Sequence, residues 1–275
     1  MNPILVGVDG STGAANAMRW AMRLASRKGA DVVVMTGFQP VDSELRPGRL
    51  ETLIASEQRE LATWTEAERL VDVPVRTVVE HGDPGPAMLA VADREGADLI
   101  VIGRVGRSAG PGLLHLGSMA EWLAHHVDRP VAVVGDDAGP ETLDVLVAVD
   151  GSDGARAAVR WVRDLGRSSD VQVVAASVEA PLLDVDPDDQ RRELERRIRD
   201  DYAAELVAPG VAFEAVGVRG TDVADDLLRA ARERGSDLIV VGARGLGSFT
   251  GLRIGGVALR TLHQADRPVV LVPPD

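Results

Sequence analysis

Two glycine-rich stretches carry the residue types best suited to hold an anion. One reads Gly103-Arg104-Val105-Gly106 and continues to Gly117-Ser118; the other reads Gly242-Ala243-Arg244-Gly245 and continues to Gly255-Gly256. Each starts where an apolar run ends and feeds a segment of helical pattern. Glycine permits positive φ and a close approach of ligand to main chain. A strand-to-helix turn of such residues can aim successive N–H groups at phosphate oxygens. The helix that follows adds orphan N–H groups and a partial positive charge. Ser118 stands where a hydroxyl can cap that helix or donate to a phosphate oxygen. Arg104, Arg107 and Arg244 bring positive charge to the two stretches. A single Gly-x-x-Gly is a weak signal, equally consistent with a flexible turn. Two copies, each after a matched apolar run, are a stronger one.

An aspartate closes the first apolar run of each half. Asp9 lies in Ile4-Leu-Val-Gly-Val-Asp-Gly-Ser11 and Asp150 in Val145-Leu-Val-Ala-Val-Asp-Gly-Ser152. These carboxylates can act as metal ligands, as general bases, or as caps of the following helix. No partner carboxylate is read at a ligand spacing, so no metal site made by the protein alone is expected, and Mg²⁺ would arrive with nucleotide phosphates. Lys28 is the only lysine and no Gly-Lys-Ser/Thr occurs, which removes a Walker-type phosphate loop. The chain has no cysteine, so disulfides and thiol catalysis are excluded. None of the five histidines forms a metal spacing such as His-x-x-x-His, and His125, His126 and His263, which lie before the fifth strands, read as packing or helix-end residues. His115 lies inside the first glycine stretch, near enough to approach phosphate.

These residues must be positioned by elements that occur twice. Asp98-Leu-Ile-Val-Ile-Gly103 returns as Asp237-Leu-Ile-Val-Val-Gly242, and Arg129-Pro-Val-Ala-Val-Val134 as Arg267-Pro-Val-Val-Leu-Val272. Trp20 returns as Trp161, both expected to face a sheet. Self-similarity of this kind marks a duplicated fold unit. Short runs rich in Val and Ile predict strands near 3–8, 31–37, 74–80, 98–102 and 131–134. Helical patterns fall near 14–28, 50–71, 85–96 and 118–127. The second half predicts strands near 144–149, 171–178, 211–218, 237–241 and 268–272, with helices near 154–167, 188–207, 223–235 and 256–265. Such alternation implies an α/β fold: two tandem doubly wound sheets, five-stranded and mostly parallel, with helices on both faces. The domains are expected at 1–137 and 143–275, divided at the Asp/Gly/Pro-rich Asp136–Thr142. In such sheets ligands sit beyond the carboxyl ends of the strands, where the strand order reverses. The charge-dense Asp184–Glu205 reads as a solvated helix laced with ion pairs, with a partner-binding helix as the alternative.

The 275 residues suit two domains, and 45% are hydrophobic, enough for two cores. The net charge of −13 works against nucleic acid and anionic membrane, and aromatics at 3% are too sparse for base-stacking platforms. The opening apolar run, Ile4–Val8, is too short for a signal peptide or a span. A cytoplasmic location is therefore expected.

The repeated pattern resembles the universal stress protein family along nearly the whole chain, twice over. Nucleotide-binding members of that family carry Gly-x2-Gly-x9-Gly-Ser/Thr after the fourth strand. They also carry an Asp at the end of the first strand. Gly242, Gly245 and Gly255 match the glycine spacing, and Gly103, Gly106, Gly117 and Ser118 match the residue types. The resemblance implies an adenine nucleotide alpha hydrolase-like fold, a nucleoside contact from Asp9 and Asp150, and ATP or a related adenine nucleotide as ligand. Both copies depart from the motif. The first has one extra residue between Gly106 and Gly117 and holds Pro111 there; the second has Gly256 in place of Ser/Thr.

The expected function is thus a non-enzymatic, stress-response regulatory protein that binds an adenine nucleotide at one or both loops. The alternative is a nucleotide-independent assembly scaffold of the same family. An ATPase would need a residue that orients water, and none is evident. The fifth strands, Val131–Val134 and Val269–Val272, should lie at sheet edges, which invite pairing. In the family, domains associate through these strands, so the two halves are expected to pack edge to edge, with a homodimer as a further form of association.

Overall fold

The computed structural model describes residues 2–39, 48–107, 116–126, 128–135, 143–167, 171–207, 211–246 and 254–274. Pro111, His115 and the expected linker at 136–142 lie outside them. The chain forms two compact units, Met1–Leu123 with Arg129–Ala138, and Gly139–Asp275 with Ala124–Asp128.

The first half runs β1 (Ile4–Gly7), α1 (Thr12–Lys28), β2 (Val32–Phe38), α2 (Arg49–Ala67), β3 (Val75–His81), α3 (Pro84–Glu95), β4 (Leu99–Gly103), α4 (Ser118–His126) and β5 (Val131–Val134). The second runs β6 (Asp144–Ala148), α5 (Asp153–Gly166), β7 (Gln172–Glu179), α6 (Pro187–Arg197), β8 (Phe213–Arg219), α7 (Val223–Glu233), β9 (Leu238–Gly242), α8 (Gly256–Gln264) and β10 (Val269–Val272). Both repeat the same α/β architecture. The first sheet is ordered β3-β2-β1-β4-β5 with every pairing parallel. The second is ordered β8-β7-β6-β9-β10, again all parallel. The order reverses between β1 and β4, and between β6 and β9. Asp9 and Gly103, like Asp150 and Gly242, stand at the carboxyl ends of the strands that make that reversal.

The strand runs are apolar because both faces are covered. Leu5, Val6, Ile100 and Val101 are fully buried, as are Val145, Leu146, Ile239 and Val240. Burial of each such side chain contributes about 1.5–3 kcal/mol. Helix α1 presents Ala14, Ala17, Met18, Ala21, Met22 and Ala25 to the sheet, all nearly inaccessible. This is the i, i+3/i+4 stripe of an amphipathic helix. Its small residues let α1 lie close over β4. Trp20 is buried on this helix, as expected of a core residue, while Trp161 on α5 is only half-buried.

One expected helix is divided. The run at 188–207 is α-helical only to Arg197, followed by a π turn at Ile198–Tyr202 and a 3-10 turn at Ala204–Leu206. The wide turn, closed by Ala203 N–H to Ile198 O at 2.8 Å, accompanies complete burial of both Ile198 and Leu206. The polar face of α6 carries local ion pairs, including Arg191–Asp188 at 3.0 Å and Arg196–Glu193 at 2.6 Å. It is the solvated helix face the charge pattern predicts.

Candidate functional site

Beyond β1 and β6 the chain makes the same turn twice. Gly10 and Gly151 take φ of +77° and +80°, a region that strains L side chains. The next residue caps the helix: the Ser11 hydroxyl accepts from Ala14 N–H at 3.1 Å and that of Ser152 from Ala155 N–H at 3.2 Å. The cap is therefore the serine, not the aspartate.

The aspartates have other partners. Asp9 accepts Ser11 N–H at 3.0 Å on one oxygen and Arg107 N–H at 2.6 Å on the other. Asp150 accepts Ser152 N–H at 2.9 Å and its hydroxyl at 2.5 Å on one oxygen, and Leu246 N–H at 3.1 Å on the other. In each unit the carboxylate ties the turn after the first strand to the residue after the second loop glycine. Burial alone would raise the pKa of Asp9. Hydrogen bonds from the Ser11 hydroxyl and the Arg107 and Ser11 amides, together with the Arg107 charge, outweigh it and hold the group below its ordinary value.

Gly103, Gly106, Gly117, Gly242 and Gly245 are required by close packing rather than by positive φ, which none of them adopts, whereas a Cβ on Gly255 would make only ordinary contact, 3.5 Å from Ala243 O. A Cβ on Gly103 would lie 2.6 Å from the Gly13 carbonyl carbon, and one on Gly242 2.3 Å from that of Gly154. A Cβ on Gly106 or Gly245 would lie 2.7 Å from Oδ2 of Asp9 or Asp150. Gly117 N–H donates to Arg104 O at 2.8 Å, and Gly255 N–H to Ala243 O at 2.7 Å, so both loops return to the strand end before their helices begin. A Cβ on Gly117 would lie 2.9 Å from Arg104 O. Gly256 differs: nothing lies within 4 Å of its Cβ position.

Two sequence expectations are corrected here. Ser118 is the first residue inside α4, not its cap, because Glu121 N–H already donates to Gly117 O at 3.0 Å. Arg104 does not offer an exposed charge. Arg104 N–H bonds Val134 O and Ala243 N–H bonds Val272 O, so Arg104 is the counterpart of buried Ala243. It is 7% exposed, with Nε 3.7 Å from the Cβ position of Gly135. Arg244, the counterpart of Val105, is exposed beside the second loop. The second unit also forms a definite surface that no sequence motif marks.

That surface belongs to a cleft of about 430 Å³ at the carboxyl ends of β6, β7 and β9. Ala148, Ala176 and Val241 form its floor, and Val223 and Leu227 of α7 one wall. Asp150, Gly242, Gly245, Gly255 and Gly256 lie along the polar end. Helix α8 opens there with Gly255 as its cap residue, which has no side chain to satisfy the first N–H groups. Exposed backbone amides at a helix start, with the positive end of its dipole, form an anion site whatever the net charge of the chain. The cleft thus joins an apolar chamber to an amide-rich end, at a volume ordinary for small-molecule sites. The floor residues escape detection in the sequence because they are plain strand residues; only their register puts them under the loop.

Two doubly wound units, each with a glycine loop fastened by an aspartate at the strand-order reversal, define a tandem α/β protein. The chain matches the Universal stress protein family over residues 1–135 and again over 143–273, and it belongs to that family. A universal stress protein of Mycolicibacterium smegmatis is 30% identical, covering 98% of this chain and 97% of its own length. Universal stress protein Rv2623 of Mycobacterium tuberculosis is 28% identical over 98% of this chain and 95% of its own. The crystal structure of a universal stress protein from Archaeoglobus fulgidus superimposes with a TM-score of 0.74 at 20% identity, covering 100% of this chain and 99% of the other, a likeness of fold. Among the described residues, no helix is long and apolar enough to cross a membrane.

Proposed function

We propose that this protein is a stress-response regulator that binds ATP or a related adenine nucleotide in its second unit. The observation that carries the reading is the cleft itself, an apolar floor leading to the uncapped start of α8 and the Gly242–Gly245 loop. The base would lie on Ala148, Ala176 and Val241, and the phosphates at the amides of the loop and helix. Exposed Arg244 adds positive charge at that end. Donors from the chain on both oxygens of Asp150 hold the loop in shape, and Oδ2, which accepts only Leu246 N–H, keeps acceptor capacity for a nucleoside. Mg²⁺ would enter as part of the nucleotide complex.

The reading is one of binding without turnover. Occupancy stabilises the folded state, by about 2.7 kcal/mol at a hundredfold excess over Kd. For a domain of this size that is roughly 5–10 °C in Tm. A thermal-shift titration with Mg·ATP tests it, and no shift at millimolar nucleotide overturns it. Phosphate release would be assayed alongside; steady release abolished by joint Asp9→Ala and Asp150→Ala substitution would replace binding by hydrolysis.

A scaffold role is the second reading, favoured by one observation. Leu246, at the lip of the cleft, is 74% exposed, and Val223 and Val257 beside it are also exposed. A protein partner would cover them. Partner binding that persists in protein stripped of nucleotide, and that Leu246→Ser abolishes, would support it.

A further inference from the structure

We infer that methionines of the first unit fill the place where the second unit would take a base, so that the chain holds one nucleotide rather than two. The inference rests on the nucleotide reading above.

Its basis is one row of residues across each sheet. In the first unit, register aligns Met35 with Gly7 and Gly7 with Ile102. In the second, it aligns Ala176 with Ala148, and the next step beyond the Val147–Val240 pair brings Val241 beside Ala148. The rows are equivalent: Val8 N–H donates to Met35 O at 2.8 Å, and Val149 N–H to Ala176 O at 2.9 Å. Residues in register on parallel strands share a face. In the second unit this face is the cleft floor, walled by Leu227, the fifth residue of α7. The fifth residue of α3 is Met88.

The first unit uses the same space differently. A Cβ on Gly7 would lie 2.2 Å from Cε of Met88 and 3.2 Å from Cγ2 of Ile102, so the thioether of Met88 rests on the centre of the row. Met35 replaces Ala176 at its edge and is 1% exposed; Met88 is 5% exposed. Methionine is unbranched and adapts to irregular gaps, which suits it to plug a chamber. The loop fastening, by contrast, is kept in both units, through Asp9 to Arg107 and Asp150 to Leu246. Among the described residues, the first unit keeps the frame of the site with methionine side chains where the second has the chamber.

Native mass spectrometry and titration calorimetry of the full chain with Mg·ATP test this. The wild-type chain should bind one equivalent. Joint Ala176→Met and Leu227→Met should weaken that binding at least roughly thirtyfold, which is about 2 kcal/mol. Joint Met35→Ala and Met88→Leu should add a second equivalent. Because emptying a core position can unfold the first unit, a melting curve accompanies that variant, and the Ala176→Met, Leu227→Met chain decides the matter if it does not fold. Two equivalents in the wild type, undiminished binding in the filled second unit, or a folded Met35→Ala, Met88→Leu chain that still binds one would each overturn the inference while leaving nucleotide binding intact. No nucleotide bound by the wild type would overturn the functional reading and this inference together.

Discussion

The carboxylate of Asp150 accepts the backbone N–H of Leu246 at 3.1 Å, across 96 positions of sequence. Asp9 and Arg107 make the same bond at 2.6 Å across 98. A charged acceptor on a backbone amide contributes more than a neutral one, about 1.5–3 kcal/mol. The pair therefore sets where each glycine loop lies relative to the strand that precedes it.

Replacing Asp150 by Asn should loosen the second loop. The amide side chain keeps the shape but loses the charge and one acceptor oxygen. Urea melts should fall by about 1–3 kcal/mol. Nucleotide affinity should fall with them, because the loop amides are no longer held in place. A stable variant with unchanged affinity would show that the clamp does not shape the site.

The depressed pKa of Asp9 has a defined consequence for pH. The charged form is favoured by folding, so its contribution is complete above the unfolded carboxylate value, near 4, and is lost as pH falls through the lower folded value. Stability should therefore decline from about pH 4 downwards, and Asp9→Asn should flatten that decline. Denaturant melts between about pH 2.5 and 6 measure both.

Glycine substitutions should divide by geometry. Gly245→Ala places a methyl 2.7 Å from Asp150 Oδ2 and Gly242→Ala one 2.3 Å from the backbone of Gly154. Each should destabilise by about 1–3 kcal/mol, as overpacking does. Gly256→Ala meets open space and should change stability by less than about 1 kcal/mol, since exchanging Gly for Ala in a helix gains at most that much. Thermal melts of the three variants separate the classes.

Gly256→Ser should restore the hydroxyl that the family motif carries at this position. It stands at the open start of α8, at the polar end of the cleft. One added hydrogen bond is worth about 1 kcal/mol, or roughly fivefold in Kd, and more if the acceptor is charged. Calorimetry with Mg·ATP should register the gain; weaker binding would place the phosphates elsewhere.

The sequence alone carried the duplication, the alternation of strand and helix, and the two glycine stretches beside Asp9 and Asp150. Those features are local or repeat in order, and strand and helix periods are written in neighbouring residues. Tertiary structure decided what each residue does. It turned Arg104 inward and left Arg244 exposed, assigned the helix caps to Ser11 and Ser152, and made Gly103 and Gly242 necessary through their approach to Gly13 and Gly154. It also set Met35 and Met88 against Gly7 where the second unit has Ala176, Leu227 and Ala148. The physical reason is common to all of these. Contacts between residues far apart in the chain depend on strand register and on which face a side chain leaves, and neither is encoded in any short stretch of residues.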